Sequence, residues 1–154
     1  METIKVPDRL NCSNNAFQLL EKIDNANYMG LDKGMITRSE VFLFAMSLGV
    51  ESKTKNEITS THQGGLILEK SIDSKTRASI YSQYIISLKE PSNELDEILK
   101  KDKVFKLAEQ YANAGFEMIA YYFENKEPEE LVIDLFLELD SQYEKINQGR
   151  TNGQ

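Results

Sequence analysis

The spacing of apolar residues predicts that this chain is mostly α-helical. Apolar positions recur at intervals of three and four in about six stretches, and this is the period of a helix that buries one face. The clearest stretch covers residues 104–123 and predicts a long amphipathic helix. Helix starts are marked by a possible N-cap or by a proline in the first turn: Ser13 or Asn14, Thr37, Asp73, Ser92 and Pro128.

The second helix has the sharpest start signal. Thr37 and Glu40 form a capping box, because the Thr37 hydroxyl can accept from the amide three residues on while the Glu40 carboxylate reaches back. Residues 41–48 are apolar nearly all round, which places this helix in the centre of a core or in a dimer interface. Such a helix has more apolar surface than one small neighbour can cover, so we expect a homodimer. Gly49 is predicted as the left-handed residue after the helix end.

Shorter signals complete the fold. Residues 3–6 alternate polar and apolar ahead of Pro7 and predict a short N-terminal strand. Residues 51–71 are polar and predict a loop with one short strand near residues 66–68, after a turn at residues 63–65. Gly115 interrupts the apolar face of the long helix, which indicates that another backbone approaches there.

The length of 154 residues fits one domain, which we place at residues 1–146 with a frayed polar tail at 147–154. Eight residues should include most of the deeply buried side chains: Phe42, Phe44, Met46, Leu48, Leu107, Tyr111, Ile119 and Phe136.

The net charge of -7 is concentrated at one end of the chain. Residues 91–154 hold fourteen acidic against seven basic residues, whereas residues 1–55 hold seven of each. The C-terminal part should therefore repel phosphate, and any nucleic-acid contact should come from the N-terminal part. The single cysteine and the lack of a signal-like or membrane-length apolar run predict a cytoplasmic protein with no membrane contact.

Candidate catalytic residues are few. His62 is the only histidine and is expected to be solvent-exposed in its loop, while Cys12 has no motif around it and is expected to be semi-buried. Gln63, Gly64 and Gly65 match no phosphate-loop spacing. We therefore predict no catalytic residues, no metal site, no cofactor and no enzymatic activity.

The order of elements over residues 3–49 is that of a ribbon-helix-helix protein. In that arrangement two strands pair across a homodimer and read DNA, while the start of the second helix holds a phosphate. Thr3 and Lys5 would face the DNA, and Thr37, Arg38 and Ser39 would hold the phosphate. The alternative is an ordinary capped helix pair of an all-α domain.

Three blocks of the sequence, residues 36–49, 64–65 and 108–115, resemble the small accessory proteins of DNA phosphorothioation (dnd) systems, including DndE. The resemblance implies a prokaryotic accessory or regulatory protein of DNA modification and phage defence, which acts on DNA or on the protein partners of that system. The alternative is a helical protein–protein interaction module whose acidic C-terminal helix docks on a basic partner, with no DNA contact.

Overall fold

The computed structural model describes residues 7–88, Asp96 and residues 100–151. The predicted mostly α-helical fold is confirmed. The helix expected after Ser92 and the strand expected over residues 3–6 lie outside the described residues. Within them the elements are β1 (Arg9–Leu10), α1 (Asn14–Ala26), α2 (Arg38–Glu51), β2 (Ile67–Leu68), α3 (Ser74–Ser87), α4 (Lys101–Asn125) and α5 (Pro128–Thr151).

The chain forms two compact units, Met1–Ala120 and Tyr121–Gln154. The boundary falls inside α4. In the second unit α5 continues through residues 147–151, which the sequence assigns to a polar tail. A long helix is extended cheaply at its end, because each added residue gains a hydrogen bond without a new nucleation step. None of the helices in the described part of the chain is long and apolar enough to cross a membrane.

The predicted caps set the helix starts. The Ser13 hydroxyl accepts from the amide of Ala16 at 3.1 Å, and Asp73 caps α3 in the same way. The capping box of α2 is complete, because Thr37 accepts from the Glu40 amide at 3.2 Å and donates its own amide to the Glu40 carboxylate at 2.8 Å. These side chains satisfy amides that have no partner inside the helix.

The strand directly ahead of α1 pairs within the chain. β1 lies antiparallel to β2, and the turn before β2 closes with a hydrogen bond of 3.0 Å from the Gly65 amide to the His62 carbonyl. Gly65 has a φ of 63°, a conformation that side chains disfavour. The register places Arg9 opposite Leu68 and Leu10 opposite Ile67.

Two helices of the first unit touch backbone to backbone. A Cβ atom added to Gly115 of α4 would lie 2.5 Å from the carbonyl carbon of Ala45 in α2, and one added to Gly49 would lie 2.8 Å from that of Tyr111. The close approach predicted at Gly115 is confirmed. The prediction for Gly49 is wrong: α2 continues to Glu51, and Gly49 lacks a side chain because α4 occupies that space.

The buried core only partly matches the predicted set. Phe42, Met46 and Ile119 are buried, but Phe136 is 70% exposed. Four others, Phe44, Leu48, Leu107 and Tyr111, are half-buried. The Gly115 contact turns the buried face of α4 toward positions 105, 112 and 116, so residues 107 and 111 lie at its edge. The largest fully buried side chains include Leu10, Leu20, Ile23, Phe42, Ile80, Phe105 and Ile119.

The surroundings of α2 bear on the homodimer expected from the sequence. That expectation rested on α2 having more apolar surface than one chain could cover. The helix instead packs on α3 and crosses α4, and its largest apolar residues are buried or half-buried in the chain. The homodimer stays a prediction without support from this helix.

We expect Gly115→Ala to lower the free energy of unfolding by about 1–3 kcal/mol, because the new methyl group overlaps the α2 backbone. Urea denaturation followed by circular dichroism measures this. Gly149→Ala in α5 is the matched control: no other part of the described chain lies within 4 Å of its added Cβ, and alanine favours a helix by up to ~1 kcal/mol over glycine. Equal or higher stability of the Gly115 variant would contradict the close crossing.

Candidate functional site

The predicted phosphate site at the start of α2 is occupied by contacts within the chain. Arg38 forms an ion pair with Asp24 of α1. Ser39 is buried beside Asp73, whose pKa is lowered first by the Thr76 amide and to a smaller extent by the Ser39 side chain. Thr37 is engaged in the capping box. The structure therefore brings these three predicted residues together, with Thr37 and Arg38 paired to side chains of the same protein and Ser39 buried beside Asp73.

The other two predicted site residues, Thr3 and Lys5, lie outside the described residues. A role in nucleic-acid binding therefore stays a prediction for all five. One atom near the helix start is unusual: Arg38 Nη1 is buried and has no hydrogen-bond partner among the described residues, although the other end of the same guanidinium pairs with Asp24. Buried guanidinium nitrogens are normally hydrogen-bonded.

Glu109 of α4 holds the segment between β1 and α1. Its Oε1 atom accepts from the backbone amide of Asn11 at 2.7 Å and from the Asn11 side-chain amide at 3.0 Å. Burial raises the pKa of Glu109 above its ordinary value, and the two hydrogen bonds from Asn11 act against that rise. A raised pKa suits a general acid, but this carboxylate already accepts two hydrogen bonds from Asn11.

A cleft of about 360 Å³ opens beside Glu109. Phe105 forms part of its wall, and its charged groups are of both signs: Asp102 and Glu57 stand near Lys106. Lys106 and Glu57 form an ion pair of 3.8 Å between exposed side chains, which contributes little to stability. Within the part of the chain that the structure describes, no group of histidine, cysteine and acidic residues could hold a metal ion.

The polar face of α4 binds the loop that follows α2, a feature that the sequence analysis missed. The Asn56 amide donates to the Gln110 carbonyl at 3.1 Å, and its side chain donates to Glu117 at 2.6 Å. The buried Asn113 side chain donates to the carbonyl oxygens of Asn56 and Glu57. Residues 106, 109, 110, 113 and 117 share one helix face, and this polar spacing was the available signal.

The two residues with potential nucleophilic or acid–base chemistry are packed into the structure. Cys12 is buried rather than semi-buried, and burial, with the nearby charge of Glu109, raises its pKa to about 11. A thiol in this state is unreactive at neutral pH. His62 is half-buried rather than solvent-exposed, because its ring stacks on Phe17 with centroids 3.7 Å apart. The predicted turn after His62 is confirmed.

The most unusual surface lies on α5. Five side chains of this helix repeat at intervals of four, three, four and three, and each is between 52% and 70% exposed. We call this set the apolar stripe: Val132, Phe136, Leu139, Tyr143 and Ile146. Ile133 and Leu137 beside it are also exposed. Phe136 was therefore wrongly predicted as core, because apolar spacing shows which residues share a face but not whether that face is covered.

The fold and these surfaces define a mostly α-helical protein with a small antiparallel ribbon and an acidic terminal helix that carries an exposed apolar stripe. Compared with protein-family models, with curated proteins and with solved structures, the chain matches none of them.

The raised pKa of Glu109 predicts a pH effect on stability. The folded state binds the carboxyl proton more tightly than the unfolded state, so this group favours folding at low pH and loses that contribution as pH rises through its folded pKa. Glu109→Gln keeps an oxygen for Asn11 and removes the buried charge. We expect its stability relative to the parent to improve between about pH 4, near the ordinary glutamate pKa, and pH 7.

Urea unfolding of Glu109→Gln and of the parent, at about pH 4 and at pH 7, measures the difference in their free energies of unfolding. Glu117→Gln is the matched control, since Glu117 lies on the same helix and also accepts an amide hydrogen bond but is exposed. A gap that is the same at both pH values for Glu109→Gln would show that its carboxylate is not destabilised by burial.

Proposed function

We propose that this chain is a helical protein–protein interaction module that binds its partner through the apolar stripe of α5. The observation that carries this proposal is the exposure of five large apolar side chains in a single row on a 24-residue helix. Exposed apolar residues that occur singly are normal, whereas contiguous ones on an ordered element mark a binding surface.

The contrast with the rest of the chain supports this choice. Among the described residues, twelve large apolar side chains are exposed, and eight of them fall within residues 121–146. The first unit has only four of the twelve, at positions 35, 68, 85 and 86, and it buries the phenylalanines at positions 42, 105 and 116. Seven of these eight lie on α5 and the eighth, Tyr121, lies on α4, so the exposed apolar surface is concentrated on one helix.

The spacing also favours a helical partner. An α-helix has 3.6 residues per turn, and a row that alternates steps of four and three has an average period of 3.5. This is the repeat by which two helices keep their apolar seams in contact. The stripe thus has the pattern that a second helix can cover along its whole length.

Site-specific photo-crosslinking tests the proposal. A photoreactive phenylalanine analogue at position 136 should crosslink to a partner protein in cells that produce the full chain, because this position lies in the middle of the stripe. The analogue at position 148 is the matched control, since Gln148 is exposed on the opposite side of α5. Equal crosslinking from both positions, or none from position 136, would refute docking on the stripe.

A place beside a dnd-type DNA-modification or phage-defence system is compatible with this role, because accessory proteins of that kind act with protein partners.

Direct DNA contact through residues 3–49 is a separate proposal and has its own test. If DNA binds there, Arg38→Ala should weaken binding and make its salt dependence shallower by about one phosphate contact. Unchanged binding in the variant, or no binding by the parent at low salt, would leave α2 as a structural element.

A further inference from the structure

We infer that the partner on the apolar stripe is a basic amphipathic helix that pairs with α5 as a short coiled coil. This inference rests on the proposed function and adds the chemical class of the partner. It is carried by the heptad positions of the stripe and by the charges that surround it.

The stripe has the two core positions of a heptad repeat. Phe136 and Tyr143 occupy the a positions, and Val132, Leu139 and Ile146 occupy the d positions. In a coiled coil these side chains insert between four residues of the facing helix. The stripe extends over about 21 Å at 1.5 Å per residue, so the apolar seam covers only two heptads. Such a short seam needs additional attraction from the residues beside it.

The charge of α5 determines which helix can supply that attraction. The helix carries six acidic residues and two basic ones. Asp140 lies at the edge of the seam, four residues after Phe136 and three before Tyr143. A carboxylate in this position becomes partly desolvated when the seam is covered, and that costs free energy unless a cation pairs with it. A lysine or arginine of the partner helix meets this requirement.

A second copy of α5 does not supply the cation. In a parallel pair the e positions of one helix face the g positions of the other, and in an antiparallel pair e faces e and g faces g. None of these positions on α5 is basic, so Asp140 meets no cation in either orientation. The e positions are Ile133, Asp140 and Asn147, and the g positions are Leu135, Gln142 and Gly149.

Two synthetic peptides of about four heptads test this inference. Both have leucine at a and d, one has lysine at e and g, and the other has glutamate there. Fluorescence anisotropy at low salt measures the affinity of each peptide for the full chain. The lysine peptide should bind, and the glutamate peptide should bind about tenfold or more weakly than it. Asp140→Asn should weaken the lysine peptide about two- to fivefold, as expected for one exposed ion pair. Gln148→Asn on the opposite side is the matched control and should change nothing.

The outcomes separate the inference from the proposed function. Phe136→Asp should abolish binding of the lysine peptide while the thermal unfolding midpoint stays near that of the parent, since this side chain is exposed. Equal binding of both peptides, or self-association of the chain that Phe136→Asp removes, would overturn the basic partner and keep the stripe as a docking surface. If neither peptide binds and the chain stays monomeric, the basic partner is overturned, and the crosslinking at position 136 decides the proposed function.

Discussion

The contact between the backbones of α2 and α4 is the constraint on which the first unit depends. Ala45 and Gly49 are one helical turn apart, and so are Tyr111 and Gly115, so each helix gives a full turn to the contact. A glycine inside a helix costs up to ~1 kcal/mol relative to alanine. The close approach offsets that cost through the many backbone and side-chain contacts that it allows. It also fixes the rotation of α4 about its own axis.

The rotation of α4 about its axis determines which of its residues face the core and which face the segments that cross it. With Gly115 against α2, Phe105 and Phe116 lie in the core, and Glu109 and Asn113 meet the segments that pass over the helix. These segments have few apolar residues and are held by hydrogen bonds instead. Rotating α4 by one residue would place polar side chains in the core and leave the two segments without partners, so the glycine contact and the polar contacts require the same arrangement.

Helix caps could be predicted from the sequence, whereas contacts between residues far apart in the chain could not. Ser13, Thr37 and Asp73 cap helices through bonds to amides three residues away, and a short stretch of sequence contains all that such a bond needs. The role of Gly49 was predicted wrongly, because a missing side chain suits a left-handed turn and a close helix contact equally well. The hydrogen bonds between residues 56–57 and α4 join positions more than fifty apart. Apolar periodicity does not encode pairings of this kind.

The helix α5 has apolar residues that the chain covers and apolar residues that it leaves exposed. On one side of the helix Leu131 is buried and Leu135 is half-buried. The apolar stripe, which begins at Val132, is exposed. An exposed row of this size promotes self-association unless something opposes it. The six acidic residues of α5 would oppose self-association, because two copies of the helix brought together would bring like charges together. In the proposed role the same charges would attract a cationic helix, so the charge that disfavours the pairing of two copies also favours the inferred basic partner.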